Sequence, residues 1–264
     1  MSDPRDKKED LVEYLRELQL PAIRRCFEEK ARQAERETLG YEHYLLELAE
    51  RECQERRANR ITRLLHASKL PLEKTVENFD MKRLPVKAAR QVKALLDGTF
   101  LDRRENVLAF GNPGSGKTHL LSALGQELIR QGRRVAFGTC ARLVQDLLRA
   151  KKDLRLSRAI KKLAYYEALV IDDIGYVQQS REEMEVLFTL LAERYERGSV
   201  MLTSNLAFSG WEQIFKDPMT TAAAIDRLVH HCIILELNVP SYRAEQAKKA
   251  RQSRTTQGED ARAD

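Results

Sequence analysis

Cysteine is scarce in this chain of 264 residues, and the four present, Cys26, Cys53, Cys140 and Cys232, stand far apart. No two have metal-ligand spacing, which argues against a zinc module and predicts reduced, mostly packed thiols. Long apolar runs are missing too. None approaches the roughly 20 residues that span a bilayer. The opening "MSDPRDKKEDLVEY" lacks the apolar core of a secretory signal, so a cytoplasmic location is expected. Glycine occurs once in the first 75 residues, at Gly40, and no internal repeat is visible.

What is present divides the chain in two. Leu11, Tyr14, Leu15 and Leu18 recur at helical spacing, as do Tyr41, Tyr44, Leu45 and Leu48, and then Ile61, Leu64 and Leu65. Residues 1–75 are therefore expected to be all-helical, with Pro21 breaking one helix from the next. A helical block this short must pack on something or pair with another copy. "LPLEKTVENFDMKRLP" is less periodic and reads as a connector. From about residue 100, short apolar runs ("NVLAF", "RVAFG", "ALVIDD", "SVMLTSN", "CIILEL") alternate with helical patterns at 117–130, 141–150, 181–197 and 222–231. Strands alternating with helices predict an α/β domain of three layers around a largely parallel sheet, over residues 76–254. Residues 255–264 are expected to be a disordered tail.

"GNPGSGKT", Gly111 to Thr118, matches the phosphate-loop pattern in full. Its glycines let backbone amides turn inward around phosphate oxygens, and the helix that follows aims its N-terminus at them. The expected nucleotide-binding set is Gly111, Asn112, Pro113, Gly114, Ser115, Gly116, Lys117, Thr118 and His119. Lys117 should reach the β and γ phosphates and Thr118 should coordinate Mg2+, so ATP and Mg2+ are the expected cofactors. "ALVIDD" ends a strand in two carboxylates. Asp172 is placed to hold the magnesium through water, and Asp173 to orient and deprotonate the attacking water; the plainer alternative is a strand capped by aspartates. "VMLTSN" ends another strand. Ligands of parallel sheets lie beyond the carboxyl ends of the strands, so Asn205 is a candidate contact for the γ-phosphate or its attacking water, with Thr203 and Ser204 readable as caps. In "AAAIDRLVHHCIILEL", Arg227 could be delivered to a γ-phosphate across a subunit interface, or simply pair with Asp226 or Glu212. His230, His231 and Cys232 read as packed or solvent-facing rather than as metal ligands.

Three basic clusters stand out. Arg56, Arg57, Arg60 and Arg63 belong to the helical block. Lys151, Lys152, Arg155, Arg158, Lys161 and Lys162 form a denser run between two site strands. Lys248, Lys249, Arg251 and Arg254 lie near the end. Each reads either as a solvated face or as a DNA-phosphate surface with salt-sensitive, largely sequence-independent affinity. Aromatics are only 6% of the chain, so selectivity would come from DNA shape rather than base reading.

Together these stretches resemble the IstB-like family, the ATP-binding helper proteins of a class of bacterial insertion sequences, and more distantly the DnaC-type helicase loaders. The resemblance is carried by "GNPGSGKTHLLSALG", "ALVIDDIGY", "ERYERGSVMLTSNLAFSGWEQIF", "DRLVHHCIILELNVPSYR" and the helical lead-in "YEHYLLELAERECQERRANRITRLLHASKLPLEKTVENFD". It implies a P-loop AAA+ ATPase, weak as a monomer, that forms a homo-oligomer on double-stranded DNA and stimulates a partner transposase, IstA. It implies that residues 1–75 serve DNA binding and assembly, that Asp172 is the magnesium aspartate, that Asn205 senses the γ-phosphate and that Arg227 is the interface arginine. Only 27 residues follow Leu237, so the helical lid usual in AAA+ proteins is expected to be lacking, with Arg243 a candidate to replace part of it. A helicase loader is the alternative. A small-molecule kinase fits poorly with the "TSN" strand end, the double aspartate and the basic insertion.

Overall fold

The computed structural model describes residues 4–175, 180–215 and 217–245. The chain forms two compact units, 1–63 and 64–264.

The first unit is helical, as the apolar spacing predicts. It contains α1 (Pro4–Glu17), α2 (Pro21–Glu37) and the start of α3 (Tyr41–Ser68). Its small core is Leu15, Phe27 and Leu48, flanked by Val12, Leu20, Ile23, Cys26 and Tyr44. Pro21 opens α2 at a position where its missing N–H costs nothing. Leu20 supplies no side-chain cap to that helix. Instead Glu52, buried on α3, accepts from the amides of Ala22 at 2.8 Å and Ile23 at 3.2 Å, and from Arg56 Nε at 2.9 Å. A carboxylate at a helix N-terminus satisfies orphan amides and the macrodipole together. Burial alone would raise this carboxyl's pKa, but Arg56 and the two amides outweigh it and hold it below the usual carboxylate range.

The division falls after Arg63, earlier than the change of pattern near residue 75. The cause is Gln126, whose Nε2 donates to the carbonyls of Pro71 at 3.1 Å and Lys74 at 2.9 Å. Leu70 is buried against Gly125, where an added Cβ would meet Leu70 Cδ1 at 3.1 Å. The start of the connector thus belongs to the second unit.

That unit is a five-stranded, wholly parallel sheet in the order β2-β3-β4-β1-β5. After α4 (Val86–Leu95) and α5 (Thr99–Asp102) come β1 (Asn106–Phe110), α6 (Lys117–Arg130), β2 (Val135–Thr139), α7 (Cys140–Lys152) and α8 (Leu156–Ala164). Then follow β3 (Ala168–Ile174), α9 (Arg181–Arg194), β4 (Ser199–Ser204), α10 (Glu212–Phe215), α11 (Pro218–Val229) and β5 (Cys232–Glu236). One core layer joins Leu108, Leu169, Ile171 and Leu202 of the strands to Leu143, Leu147, Leu187, Leu190 and Leu228 of the helices. All five predicted strands form, and α6 begins and ends where the pattern places it. The question of a lid after β5 falls on residues 246–264, outside the described residues, as do the predicted tail and the cluster Lys248, Lys249, Arg251 and Arg254.

Residues 156–164, which in the sequence read as part of a charge run, form helix α8. Its apolar residues Leu156, Ala159, Ile160 and Leu163 pack on the core while Arg158, Lys161 and Lys162 face outward. Its end is held by Arg194, a 3% exposed arginine that donates to the carbonyls of Leu163, Tyr166, Glu167 and Ser199 at 2.9–3.2 Å. Burial pushes this guanidinium down to about 10.

Candidate nucleotide site and basic surfaces

The loop between β1 and α6 is shaped by left-handed glycines, Gly114 at φ 80° and Gly116 at φ 94°. Close approach fixes two positions. A Cβ on Gly111 would lie 2.4 Å from the Leu237 carbonyl oxygen, and one on Gly114 would lie 2.1 Å from Ser241 Oγ. The segment after β5 therefore runs along the loop, and Tyr242 N donates to Gly114 O at 3.0 Å.

Lys117 is buried and folds back on this loop, its Nζ donating to the carbonyls of Gly111 at 2.7 Å and Asn112 at 3.0 Å. Burial, with Arg243 adding to it, pushes the ammonium down from the ordinary lysine range, while Asp173 and Asp172 oppose the shift. Asn112 and Pro113 are exposed, and Thr118 sits half-buried in the first turn of α6. His119 turns toward the connector, with Nε2 2.9 Å from Thr75 O and its ring edge-on to Phe79 at 5.2 Å.

The carboxylates lie at an irregularity. The β3–β4 register shifts between Ile171 and Ile174, and Asp173 takes φ 65°. Thr203 Oγ1 donates to Asp172 Oδ1 at 2.7 Å and accepts from Asp173 N at 2.7 Å, so one β4 hydroxyl sets both aspartates. Asp173 reaches solvent. Partial burial and the neighbouring Asp172 raise its pKa, with Lys117 and Arg243 opposing. Asn205 follows Ser204, the register partner of Phe110, and so emerges beside the start of the loop. Asn205 Oδ1 and Ser115 Oγ are buried polar atoms with no hydrogen-bond partner among the described residues. Groups left so cost about 1–3 kcal/mol each, and here both border the phosphate loop.

On the loop's other side lies a cavity of about 220 Å³ between Lys74–Leu84 of the connector, the loop, and Val239, Tyr242 and Arg243. Phe79, Leu84 and Val239 give it apolar walls. Arg83 closes one end: it donates to Pro240 O at 3.0 Å and Glu245 Oε1 at 2.9 Å, and lies 5.1 Å from the Tyr242 ring centre. The weak periodicity of this connector predicts a link, and the structure makes it a wall of the cavity as well. Phe79, flanked by Asn78 and Asp80, is the signal for that role in the sequence.

Arg227 lies elsewhere. It shares a groove with Arg103, Arg104, Asn106, Tyr195, Glu196 and His231, where β1 and β5 begin. Its Nη1 donates to Ala223 O at 2.8 Å and its guanidinium stands 4.8 Å from the Phe188 ring centre. No ion pair with Asp226 or Glu212 forms among the described residues. His230 and His231 join Glu196, not Cys232, in an exposed group whose ligand atoms lie within 4.8 Å of one another.

The two described basic clusters differ. On α3 all four arginines are exposed; Arg56 donates to Glu52 and to the Gln19 carbonyl. On α7 and α8, Lys151 pairs with Glu185 at 2.9 Å. Lys152, Arg155, Arg158, Lys161 and Lys162 are exposed and form no ion pair among the described residues.

The sequence profile of the family described as IstB-like ATP binding protein matches residues 13–250. An insertion-sequence ATP-binding protein of Sinorhizobium fredii is 43% identical over 91% of this chain and 81% of its own length. The IS21 insertion-sequence ATP-binding protein of Pseudomonas aeruginosa is 38% identical over 83% and 82%. Among solved structures, the DnaC helicase loader covers 62% of this chain and 96% of its own at TM-score 0.54 and 16% identity. The AMPPCP-bound DnaA of Aquifex aeolicus covers 70% and 56% at TM-score 0.55 and 20% identity; both likenesses are of fold, the AAA+ P-loop domain. A phosphate loop opening α6, two aspartates near the end of β3 and a match across nearly the whole length place the chain in the IstB-like ATP-binding family.

Proposed function

We propose that this protein is an ATPase of insertion-sequence transposition that assembles on duplex DNA, stimulates a partner transposase of the IstA kind, and uses ATP hydrolysis to govern assembly or release. The observation that carries the DNA reading is the group of five exposed cations on α7, α8 and the turn between them, which form no ion pair among the described residues and are built into the nucleotide domain itself. Such a surface exchanges condensed counter-ions for protein charge and binds phosphates with strong salt dependence.

In this reading the triphosphate lies along the loop amides and the N-terminus of α6. Lys117 leaves the Gly111 and Asn112 carbonyls for the β and γ phosphates, and Ser115 Oγ gains an acceptor. Thr118 and Asp172 fit Mg2+: a hydroxyl on the first turn of α6, and a carboxylate whose Oδ1 is steadied by Thr203 and whose other oxygen remains for metal-bound water. The ion would neutralise charge on the β and γ oxygens. Asp173, with its raised pKa, takes the proton of the attacking water, and the orphaned Asn205 amide accepts from that water or reads the γ-phosphate. The apolar cavity beside Phe79, Leu84 and Val239 takes the base. Arg227 lies where β1 begins, a strand length of about 16 Å from the loop that follows its end. It therefore serves the nucleotide of a neighbouring copy, which makes efficient hydrolysis depend on assembly.

The test is to image the full chain on duplex DNA with ATP beside Asp173→Asn, and to measure hydrolysis with and without duplex. The expected result is duplex-stimulated hydrolysis in the unaltered protein and persistent assemblies in the variant. No duplex binding at low salt with ATP would overturn the reading.

A further inference from the structure

We propose that Leu154, at the tip of the α7–α8 hairpin, is a wedge that this protein presses between adjacent base pairs of duplex DNA to bend it. The proposal rests on the reading of α7 and α8 as a duplex-binding surface and adds a deformation step to it.

The geometry of the tip comes first. After Lys152 the chain turns with three backbone bonds: Asp153 N to Arg149 O at 3.0 Å, Leu154 N to Lys151 O at 3.0 Å and Arg155 N to Ala150 O at 2.7 Å. This is the helix-ending turn that requires one residue in the left-handed region, usually glycine and sometimes asparagine. Leu154 fills it at φ 55°. A branched side chain there meets the steric penalty that glycine avoids. Among the described residues seven non-glycines take positive φ; six, Gln19, Thr38, Lys69, Arg104, Asp173 and Glu196, are polar or charged, and Leu154 is the exception.

Nor does packing offset that penalty. The leucine is 94% exposed. The apolar contact that accompanies such turns joins the residues at either side, here Arg155 and Ala150, and leaves the left-handed position out. Two local preferences are broken at one residue with no gain in packing among the described residues, and such breaks concentrate at functional positions.

The surroundings point to the ligand. Exposed Lys152, Arg155 and Arg158 stand around the leucine, and none forms an ion pair among the described residues. Cations that grip phosphates on both sides of a base step hold an apolar tip against the stack, the arrangement by which wedge side chains unstack a step and kink the duplex. A leucine has no hydrogen-bonding atoms, so it reads no base edge. It favours steps that unstack easily, the pyrimidine–purine ones, and so biases target choice through deformability.

The experiment uses the full chain with ATP and a duplex of about 25 base pairs carrying a fluorescent donor and acceptor at its ends. Affinity is read from anisotropy and bending from energy transfer, for the unaltered protein, Leu154→Asn, and the double variant Lys152→Ala with Arg158→Ala. Asparagine suits the left-handed turn, so the melting temperature of Leu154→Asn should stay level or rise. Its affinity should remain within about threefold, because phosphates carry most of it, while the bend and the preference for pyrimidine–purine steps are lost. The double variant should instead lose affinity, with the slope of log affinity against log salt falling by about 1.8. A bend unchanged in Leu154→Asn, while the unaltered protein binds and bends, would overturn the wedge and leave duplex binding intact. So would a lowered melting temperature, which would give the leucine a role in the fold. Loss of transposase capture with the bend retained would also overturn it, marking Leu154 as a protein contact. No duplex binding by the unaltered protein would remove the underlying reading and the wedge with it.

Discussion

The arginines of α3 and the cations of α7–α8 look alike as sequence and differ in what they touch. On α3, Arg56 is bonded to Glu52, which in turn holds the start of α2. On α7–α8, five cations find no counter-ion among the described residues. Arg194 extends the first pattern to its limit, a guanidinium whose two terminal nitrogens donate to backbone carbonyls. Density of charge along a chain therefore says little. Whether a cation has a partner inside the chain separates those that hold the fold from those available to a phosphate.

The comparison breaks or sharpens under substitution. Arg194→Met strands the carbonyls of Leu163, Tyr166, Glu167 and Ser199 and should destabilise the second unit by about 3 kcal/mol or more. Urea unfolding followed by the fluorescence of Trp211, the single and fully buried tryptophan, measures this. A loss under about 1 kcal/mol would mean those carbonyls find other donors. Glu52→Ala uncaps α2 and should cost the helical unit about 2 kcal/mol, read by far-ultraviolet circular dichroism. Next, Arg56→Ala should cost about 1 kcal/mol, while its neighbour Arg57→Ala stays within about 0.5 kcal/mol. Equal costs would erase the distinction drawn on α3.

Replacing Lys152, Arg158, Lys161 and Lys162 together by alanine should leave stability within about 0.5 kcal/mol per site. The same variant should reduce the salt slope of duplex binding by about 3.6. The smallest effect expected is a displacement of a pH profile. In the proposed mechanism Asp173 must be ionised to take a proton, and its pKa is raised by partial burial and by Asp172. Duplex-stimulated hydrolysis should therefore fall on acidification at a higher pH than an ordinary aspartate would dictate. An acid limb unchanged in the residual activity of Asp173→Asn would assign that proton elsewhere.

Much of the second unit was legible because its signals are local. The eight residues of the phosphate loop, the alternation of strands and helices, and the paired aspartates each lie within a short window, and the structure sets loop and aspartates toward the carboxyl ends of β1 and β3, with β4 between them. What escaped depends on partners far along the chain. Thr203 was readable as a cap, but its hold on Asp172 bridges two strands. Arg194 looks like any helix-end arginine until Gly198 and the end of α8 close around it. Helix α8 hid because three of its outward residues, Arg158, Lys161 and Lys162, continue a charge run that begins in α7. The apolar pattern predicts a helix from 222, yet α11 starts at Pro218, because Asp217 caps it and the proline occupies its first turn. In the first unit, spacing revealed helices but not which side they bury. Of Leu11, Tyr14, Leu15 and Leu18, Leu15 alone is buried.

The clip made by Arg83 has a practical side. It ties residue 83 to residues 240 and 245, while Tyr242 N rests on Gly114 O. Anyone trimming this chain for expression, or fusing a reporter to its nucleotide domain, has a usable window bounded by these bonds. A cut after Arg83 or before Glu245 removes half of the clip. A junction placed upstream of the connector and downstream of Glu245 keeps both ends of the domain fastened to its loop.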